Sequence, residues 1–318
     1  MKGYELYGIR NGWGGLHAGH FMPMDYQMLD SQSAGVAIGT SRWNPNNVEG
    51  AMQRMCWHLA DKGIHGLIVI GGNDTLETAF TLYNEFRGLP TVGIPKTIDN
   101  DLPGCDTSLG FQTAVAVIGR TLMDIRAVAN SMERTYLIEV MGRRTGWLAA
   151  HGGVGADLVA LPEVPCAPVH FSIKMAEANL LGRGCVIVIS EGAHIRNGDM
   201  DIPVALDPYG NELLYKRHLA KRLAIELGPE TAVRALILGH LQCGAPPVYE
   251  DIELGQTYAA AALAYLEEER TLVVPAYFAG ELRCQPMRVM AGQQREVPQK
   301  TIRGLVDAGL EVAGWEEE

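Results

Sequence analysis

Thr91-Val92-Gly93-Ile94-Pro95-Lys96-Thr97-Ile98-Asp99-Asn100-Asp101-Leu102-Pro103-Gly104 opens as a buried strand and turns into a polar loop held between two prolines. A short aliphatic run that spills into such a loop delivers its polar groups to the carboxyl end of a sheet, where open α/β folds bind ligands. The loop sets one ammonium (Lys96), one hydroxyl (Thr97) and two carboxylates (Asp99, Asp101) close together in the chain. Asp99 and Asp101, two apart, point the same way in an extended segment. One could take a proton from a hydroxyl nucleophile, the other hold a metal or orient a partner, and the lysine hold phosphate oxygens. The same residue types also make an ordinary solvated turn, so the loop alone leaves both readings open.

The flanking sequence repeats the strand-then-loop pattern. Leu67 to Ile70 predicts a buried strand opening into Gly71-Gly72-Asn73-Asp74-Thr75, with a helix to about residue 86. Paired glycines at a helix start let an anion approach backbone N–H groups, although a plain turn capped by Thr75 has the same pattern. From Thr107 or Ser108 a helix is expected to about Asn130, with Phe111, Val115, Ile118, Leu122, Ile125 and Ala129 on one face. Tyr136 to Val140 is a strand ending in Met141-Gly142-Arg143-Arg144, and an arginine pair beyond a strand end suits a phosphate clamp. Leu158 to Leu161, Val186 to Ile189 and Ala235 to Leu238 read as strands alternating with helices near Ile173 to Leu181 and Glu212 to Leu227. Glu253 to Glu268 reads as a further helix, and Arg196 to Gly210 as a polar surface excursion.

Upstream, Tyr4 to Ile9 reads as a strand followed by no clear helix, and Val36 to Ile38 as a second short strand. Asn46 or Asn47 is expected to cap a helix with Val48, Met52, Met55 and Leu59 on its apolar face and Gly63 as its left-handed stop. Alternation of this kind predicts α/β architecture: mostly parallel, doubly wound, Rossmann-like sheet with right-handed crossovers.

The 318 residues suffice for two domains, each with its own core. A net charge of -11 argues against a general nucleic-acid binder, so anionic substrates must be met by locally clustered arginines. Six scattered cysteines without Cys-x-x-Cys spacing suggest neither a zinc site nor a disulfide framework, and reduced, cytoplasmic thiols are the simpler reading. No run reaches membrane-span length. Walker-type, Gly-x-Gly-x-x-Gly, Gly-x-Ser-x-Gly and His-Glu-x-x-His motifs are all absent.

Pro95 to Asp101, Pro-Lys-Thr-Ile-Asp-Asn-Asp, resembles the signature loop of the phosphofructokinase family. Other segments match it in the same order: Gly39-Thr40-Ser41-Arg42 with Asn44-Pro45, Gly71 to Thr75, Glu139 to Arg143 with Gly146-Trp147, Ser190-Glu191-Gly192, and Leu238 to Gln242. The resemblance runs from about Tyr4 to about Ala279. It implies two such domains with the active site in the cleft between them: a phosphoryl-donor domain of residues 1–110 plus 242–295, and a fructose 6-phosphate domain of residues 111–241 plus 296–318. The family's first strand, glycine-rich loop and helix have no counterpart before Tyr4. An internal methionine start and a naturally shortened homologue both fit that.

What the resemblance implies residue by residue is specific. Asp99 matches the carboxylate that takes the proton from the sugar 1-hydroxyl, with Asp101 and Thr97 supporting it. Arg143 and Arg42 match arginines that meet the transferring phosphoryl. Met141, Gly142 and Glu191 match the fructose-ring site. Arg134, Arg234 and His240 match the sugar 6-phosphate site, the two arginines reaching over from a neighbouring subunit, so a homodimer or homotetramer is implied. Gly72, Asn73, Asp74 and Lys96 fall in the donor site. Asp74 and Lys96 resemble the pyrophosphate-dependent type, since a carboxylate near a nucleotide α-phosphate repels it and a lysine suits a small anionic donor. Mg2+ is the implied cofactor, with Asn73 a weak ligand where the family has an acid, and Cys243 stands where an arginine usually helps hold the sugar phosphate. The leading expectation is transfer from pyrophosphate to fructose 6-phosphate; a degenerate or truncated homologue and an ATP-dependent kinase are the alternatives.

Overall fold

A computed structural model describes residues 3–24, 34–85, 88–196, 206, 218–228 and 232–316. The chain begins with an antiparallel pair, β1 (Tyr7–Ile9) and β2 (Phe21–Pro23), joined through α1 (Gly12–Ala18). It continues through α2 (Ala51–Asp61), β3 (Leu67–Gly71), α3 (Asn73–Glu85), β4 (Thr91–Pro95) and the long α4 (Phe111–Met132). Then come β5 (Thr135–Val140), α5 (Trp147–Gly152), β6 (Leu158–Ala160), α6 (Pro168–Leu180), β7 (Cys185–Ser190), α7 (Leu219–Leu227) and β8 (Val233–Ile237). The described chain closes with α8 (Leu241–Gly244), α9 (Tyr249–Glu267), a hairpin of β9 (Val273–Phe278) and β10 (Glu281–Pro286), and α10 (Gln299–Asp307).

Two four-stranded sheets result. One has the order β10-β9-β4-β3, the other β6-β7-β5-β8. All three pairings of the second sheet are parallel. Every residue of β7, Cys-Val-Ile-Val-Ile-Ser, is buried, as expected of a parallel strand covered on both faces. Its Val188 packs with Ile118, Leu148 and Ile302 on one side, and its Ile187 with Phe171 and Leu223 on the other. In the first sheet β4 is wholly buried, with Met55, Leu59 and Leu76 packed in the core on one side and Tyr258 of α9 packed with Val92 and Ile94. Gly93 allows this density: a Cβ there would lie 2.7 Å from Leu76 and 2.9 Å from Val274. Helices on both sides of each sheet give the doubly wound α/β fold that the alternation predicts.

Three local expectations are corrected. A helix does follow β1: Asn11 (φ 62) and Gly12 (φ 58) turn the chain in the left-handed region, and burial of Trp13 and Leu16 overrides the poor helix propensity of three glycines in seven residues. Val36 to Ile38 is a turn rather than a strand, closed by the Gly39 N–H on the Val36 carbonyl at 2.9 Å, with Gly39 at φ 72. Neither Asn46 nor Asn47 caps α2; Asn44 caps a separate 3-10 turn, Pro45–Asn47, and α2 starts after Gly50 in the left-handed region. Val48 is accordingly exposed and Met52 only half-buried, while Met55 and Leu59 are buried and Gly63 (φ 68) ends the helix as expected. The proposed excursion from Arg196 to Gly210, and the start of the helix expected from Glu212, lie almost wholly outside the described residues.

Candidate active site

β4 ends at Pro95, and the loop beyond it is built to project side chains rather than to continue a strand. The Lys96 N–H still reaches back to the Gly71 carbonyl at 3.0 Å, which ties the loop to the end of β3. Thr97 Oγ1 accepts the Asp99 N–H at 3.1 Å, and Asn100 adopts φ 52. That left-handed residue is held by its own side chain: Nδ2 donates to the Asp106 carbonyl at 3.0 Å, and Oδ1 accepts from the Ser108 N–H at 3.0 Å. Asp99 and Asp101 are thus presented by a clamped turn, not by an extended segment, which corrects the simple alternation argument. Ser108 Oγ donates to the Thr97 carbonyl at 2.7 Å and closes the base of the loop.

The carboxyl ends of β3, β5 and β7 supply the remaining groups. Gly142 (φ 129) leaves no room for a side chain: a Cβ would lie 2.7 Å from both Ser190 Oγ and the Thr145 carbonyl. Gly192 seats the Glu191 loop directly on Arg143, whose carbonyl would be 2.0 Å from a Cβ at that position. Buried Gln242 joins the third loop, accepting the Met141 N–H at 3.2 Å and donating to the Gly239 carbonyl at 3.0 Å. His240 is exposed just beyond β8.

These approaches produce a strongly perturbed charge cluster. Burial, then the neighbouring Asp101, push Asp99 up to about 6 against the pull of Arg143 and Lys96. Asp99 Oδ1 is buried with no hydrogen-bond partner. Burial also raises Asp101, opposed by a hydrogen bond from Gln294, with Arg143 lowering and Asp74 raising it. Glu191 is pushed up to about 7 by burial, then by Asp99 and Glu139, with Arg143 opposing. Asp74, Lys96, Asp99, Asp101, Arg143 and Glu191 therefore form one electrostatic unit, and perturbed carboxylates of this kind mark functional sites. A cavity of about 350 Å³ opens beside it, lined by Arg143, Arg144, Pro162, Glu163, His194 and Glu296.

Not every expected site residue joins the unit. Arg134 immediately precedes β5, and Arg234 is the second residue of β8, paired in register with Tyr136. Both arginines thus sit at the amino ends of adjacent parallel strands, opposite the reactive loops. Arg234 is therefore separated from His240, which lies beyond the carboxyl end of the same strand. Arg42 is exposed in an irregular stretch, Asn73 is the first residue of α3, and Asp74 and Gly72 are half-buried beside it. Among the described residues, no three His, Cys, Asp or Glu side chains are arranged to hold a metal. Sequence reasoning missed Glu163, His194, Gln294, Arg295 and Glu296, which come from irregular segments with no periodic or motif signal.

The fold is that of a doubly wound α/β protein, with an acid-bearing loop beyond β4 and an arginine beyond β5. The phosphofructokinase family model matches residues 1–266. An ATP-dependent 6-phosphofructokinase 3 of Streptomyces coelicolor is 37% identical over 257 residues, covering 78% of this chain and 74% of that protein. A pyrophosphate--fructose 6-phosphate 1-phosphotransferase of the same organism is 36% identical over 257 residues, covering 77% and 73%. In fold, the chain resembles the pyrophosphate-dependent phosphofructokinase of Nitrosospira multiformis, with a TM-score of 0.80 at 18% identity over 99% of this chain and 85% of that one. It also resembles the Saccharomyces cerevisiae phosphofructokinase, with a TM-score of 0.74 at 25% identity over 89% of this chain, but spans only 41% of the yeast chain. The chain belongs to the phosphofructokinase family.

Proposed function

We propose that the chain transfers a phosphoryl group from pyrophosphate to the 1-hydroxyl of fructose 6-phosphate, giving fructose 1,6-bisphosphate. The observation that carries this reading is Asp74, a carboxylate at the start of α3 close enough to the reactive loop to raise Asp101. A nucleotide α-phosphate brought to that corner would meet a like charge, whereas pyrophosphate has no such group and is met by Lys96. Residues 1–110 with 242–295 form the donor side in this reading, and residues 111–241 with 296–318 the sugar side.

Asp99 is the general base. Raised to about 6, it is ionised at neutral pH yet basic enough to accept the proton of the 1-hydroxyl as that oxygen attacks. Arg143, which acts on Asp99, Asp101 and Glu191 together, lies where charge spreads over the transferring phosphoryl. Arg42, Gly72, Asn73 and Lys96 hold the donor; Thr97, Met141, Gly142 and Glu191 orient the sugar ring. His240 takes the 6-phosphate, with Arg134 and Arg234 of a second copy in a homodimer or homotetramer.

Mg2+ fits this corner because Asp74 and Asp101 concentrate hard oxygen ligands and like charge there. Asp101, Asp74 and the weaker Asn73 would hold it, with phosphate oxygens completing the shell. When bound it supplies charge neutralisation on the phosphates.

The test is a coupled assay of purified protein with fructose 6-phosphate, Mg2+ and either donor. Turnover with pyrophosphate and little with ATP is expected; ready use of ATP alone would overturn the donor assignment, and no turnover with either would favour the degenerate homologue.

A further inference from the structure

We propose that Gln294 is a positioning residue for Asp101, and that residues 292–297 strap the reactive loop to both sheets. The inference rests on the reading of Asp99 and Asp101 as reacting groups. It concerns a segment beyond residues 1–266, the span matched by the phosphofructokinase family model.

The Gln294 amide is used at both ends. Its Nε2 donates to Asp101 Oδ2 at 3.0 Å, and its Oε1 accepts from Arg144 Nη1 at 3.0 Å. Only this orientation satisfies both partners, because a flipped amide would set its oxygen against the carboxylate and its NH2 against the guanidinium. Arg144 therefore fixes the amide, and the fixed amide presents a donor that favours ionised Asp101 over the protonated acid.

The rest of the strap holds the same loop. The Arg295 N–H donates to the Asp101 carbonyl at 2.6 Å, and Arg295 Nη2 donates to the Asn100 carbonyl at 3.0 Å. The guanidinium lies 4.3 Å from the Trp147 ring centroid, and Trp147 Nε1 donates to the Arg295 carbonyl at 3.0 Å. Glu163 Oε1 accepts from the Val297 and Gly146 N–H groups, both at 2.9 Å. The Gly292 N–H reaches the Asn73 carbonyl at 3.3 Å. One short segment thus touches the start of α3, the reactive loop and the start of α5.

Asp101 is faced by Asp99 in its own loop, Arg143 beyond β5, Asp74 on α3, and Gln294 and Arg295 of the strap. Among these, Gln294 is the neutral group whose hydrogen bond opposes the effect of burial most strongly. Its loss removes a donor without changing the net charge around Asp101, while Gln294→Glu replaces the donor by a like charge at nearly constant shape.

The experiment compares the steady-state kinetics of Gln294→Ala, Gln294→Glu and Arg144→Met with wild type, using fructose 6-phosphate and pyrophosphate, and follows the backbone amide resonances of Asn100 to Leu102 by 15N NMR. In Gln294→Ala turnover should fall roughly tenfold while the apparent KM for fructose 6-phosphate stays within about twofold, and Gln294→Glu, which sets a like charge against Asp101, should fall further. Arg144→Met, which frees the amide, should act in the same direction by less. Variants with wild-type circular dichroism and wild-type turnover would overturn the proposal, as would a loss carried by KM instead of turnover. Loop resonances moved by Gln294→Ala in a protein that turns over neither donor support the strap and sink the enzymatic reading instead, so the two failures are separable.

Discussion

Asp251, in the first turn of α9, caps the start of α4: its Oδ1 accepts the Gly110 N–H at 2.9 Å and its Oδ2 the Thr113 N–H at 2.8 Å. The Thr113 hydroxyl donates to the same Oδ2, and its Oγ1 accepts the Val248 N–H at 3.2 Å. A buried carboxylate from a helix on the first sheet thereby satisfies donors of the helix that leads into the second. Asp251→Ala leaves these N–H groups buried without partners and should cost about 2–3 kcal/mol, read as a lower thermal midpoint. A loss under about 0.5 kcal/mol would mean that water replaces the cap fully.

Removal of the proposed base separates chemistry from binding. Asp99→Asn should lower turnover by on the order of a hundredfold or more while leaving fructose 6-phosphate binding largely intact. Turnover retained in Asp99→Ser would take Asp99 out of that role.

The raised carboxylates also make a signed prediction about pH. A carboxylate whose folded value lies above its unfolded one contributes stability that is fully present at low pH and lost as pH rises through the folded value. For Glu191, held at about 7, the loss spans the range from its ordinary value of about 4.3 up to neutrality. Glu191→Gln has no such titration, so its thermal midpoint relative to wild type should climb between pH 5 and pH 8. A pH-independent difference would show that Glu191 titrates normally. The pyrophosphate-dependent rate should meanwhile fall below about pH 6, where Asp99 takes up its proton.

Arg134 and Arg234 at the amino ends of β5 and β8 cannot be counted with the reactive loops of the same chain, which makes their expected role a matter of a second copy. Arg234→Ala should raise the apparent KM for fructose 6-phosphate. At low fructose 6-phosphate, mixed oligomers of Asp99→Asn and Arg234→Ala chains should be more active than either parent, because one site in the hybrid then carries both intact residues. No recovery on mixing would place Arg234 outside the site. Cys243→Arg should lower the same KM by restoring a charge-assisted contact.

What was legible in the sequence follows from where the signal is local. β3 and β7 carry unbroken aliphatic runs of four, β4 and β5 shorter ones, and their loops carry residue types that are chemically distinctive at the point of use. α4 shows the limit: its apolar face is readable, but it starts at Phe111 rather than at Thr107 or Ser108, with its cap supplied by Asp251, 141 positions from Gly110. The β9–β10 hairpin turns at Ala279 (φ 54) and Gly280 (φ 78), a pair whose first member has no turn-former chemistry to announce it. Gln294 and Arg295 acquire meaning only from their contacts with Asp101, Asn100 and Trp147, which no spacing rule connects.

The donor depends on two side chains acting on one phosphate corner. Asp74 raises Asp101 through space, so its charge is felt at the reactive loop, and Lys96 is exposed at the entrance of that loop while acting on Asp99 from the other side. Asp74→Gly removes the repulsion and the bulk together and should admit ATP. Adding Lys96→Gly should weaken use of pyrophosphate, since the small donor then loses its compensating charge. Because both residues address the same phosphate group, the double variant should depart from the sum of the single effects by on the order of 1 kcal/mol, measured as log(kcat/KM) for each donor. Strict additivity would place Asp74 and Lys96 at separate sites, and an Asp74→Gly enzyme still blind to ATP would show that something other than this carboxylate excludes the nucleotide.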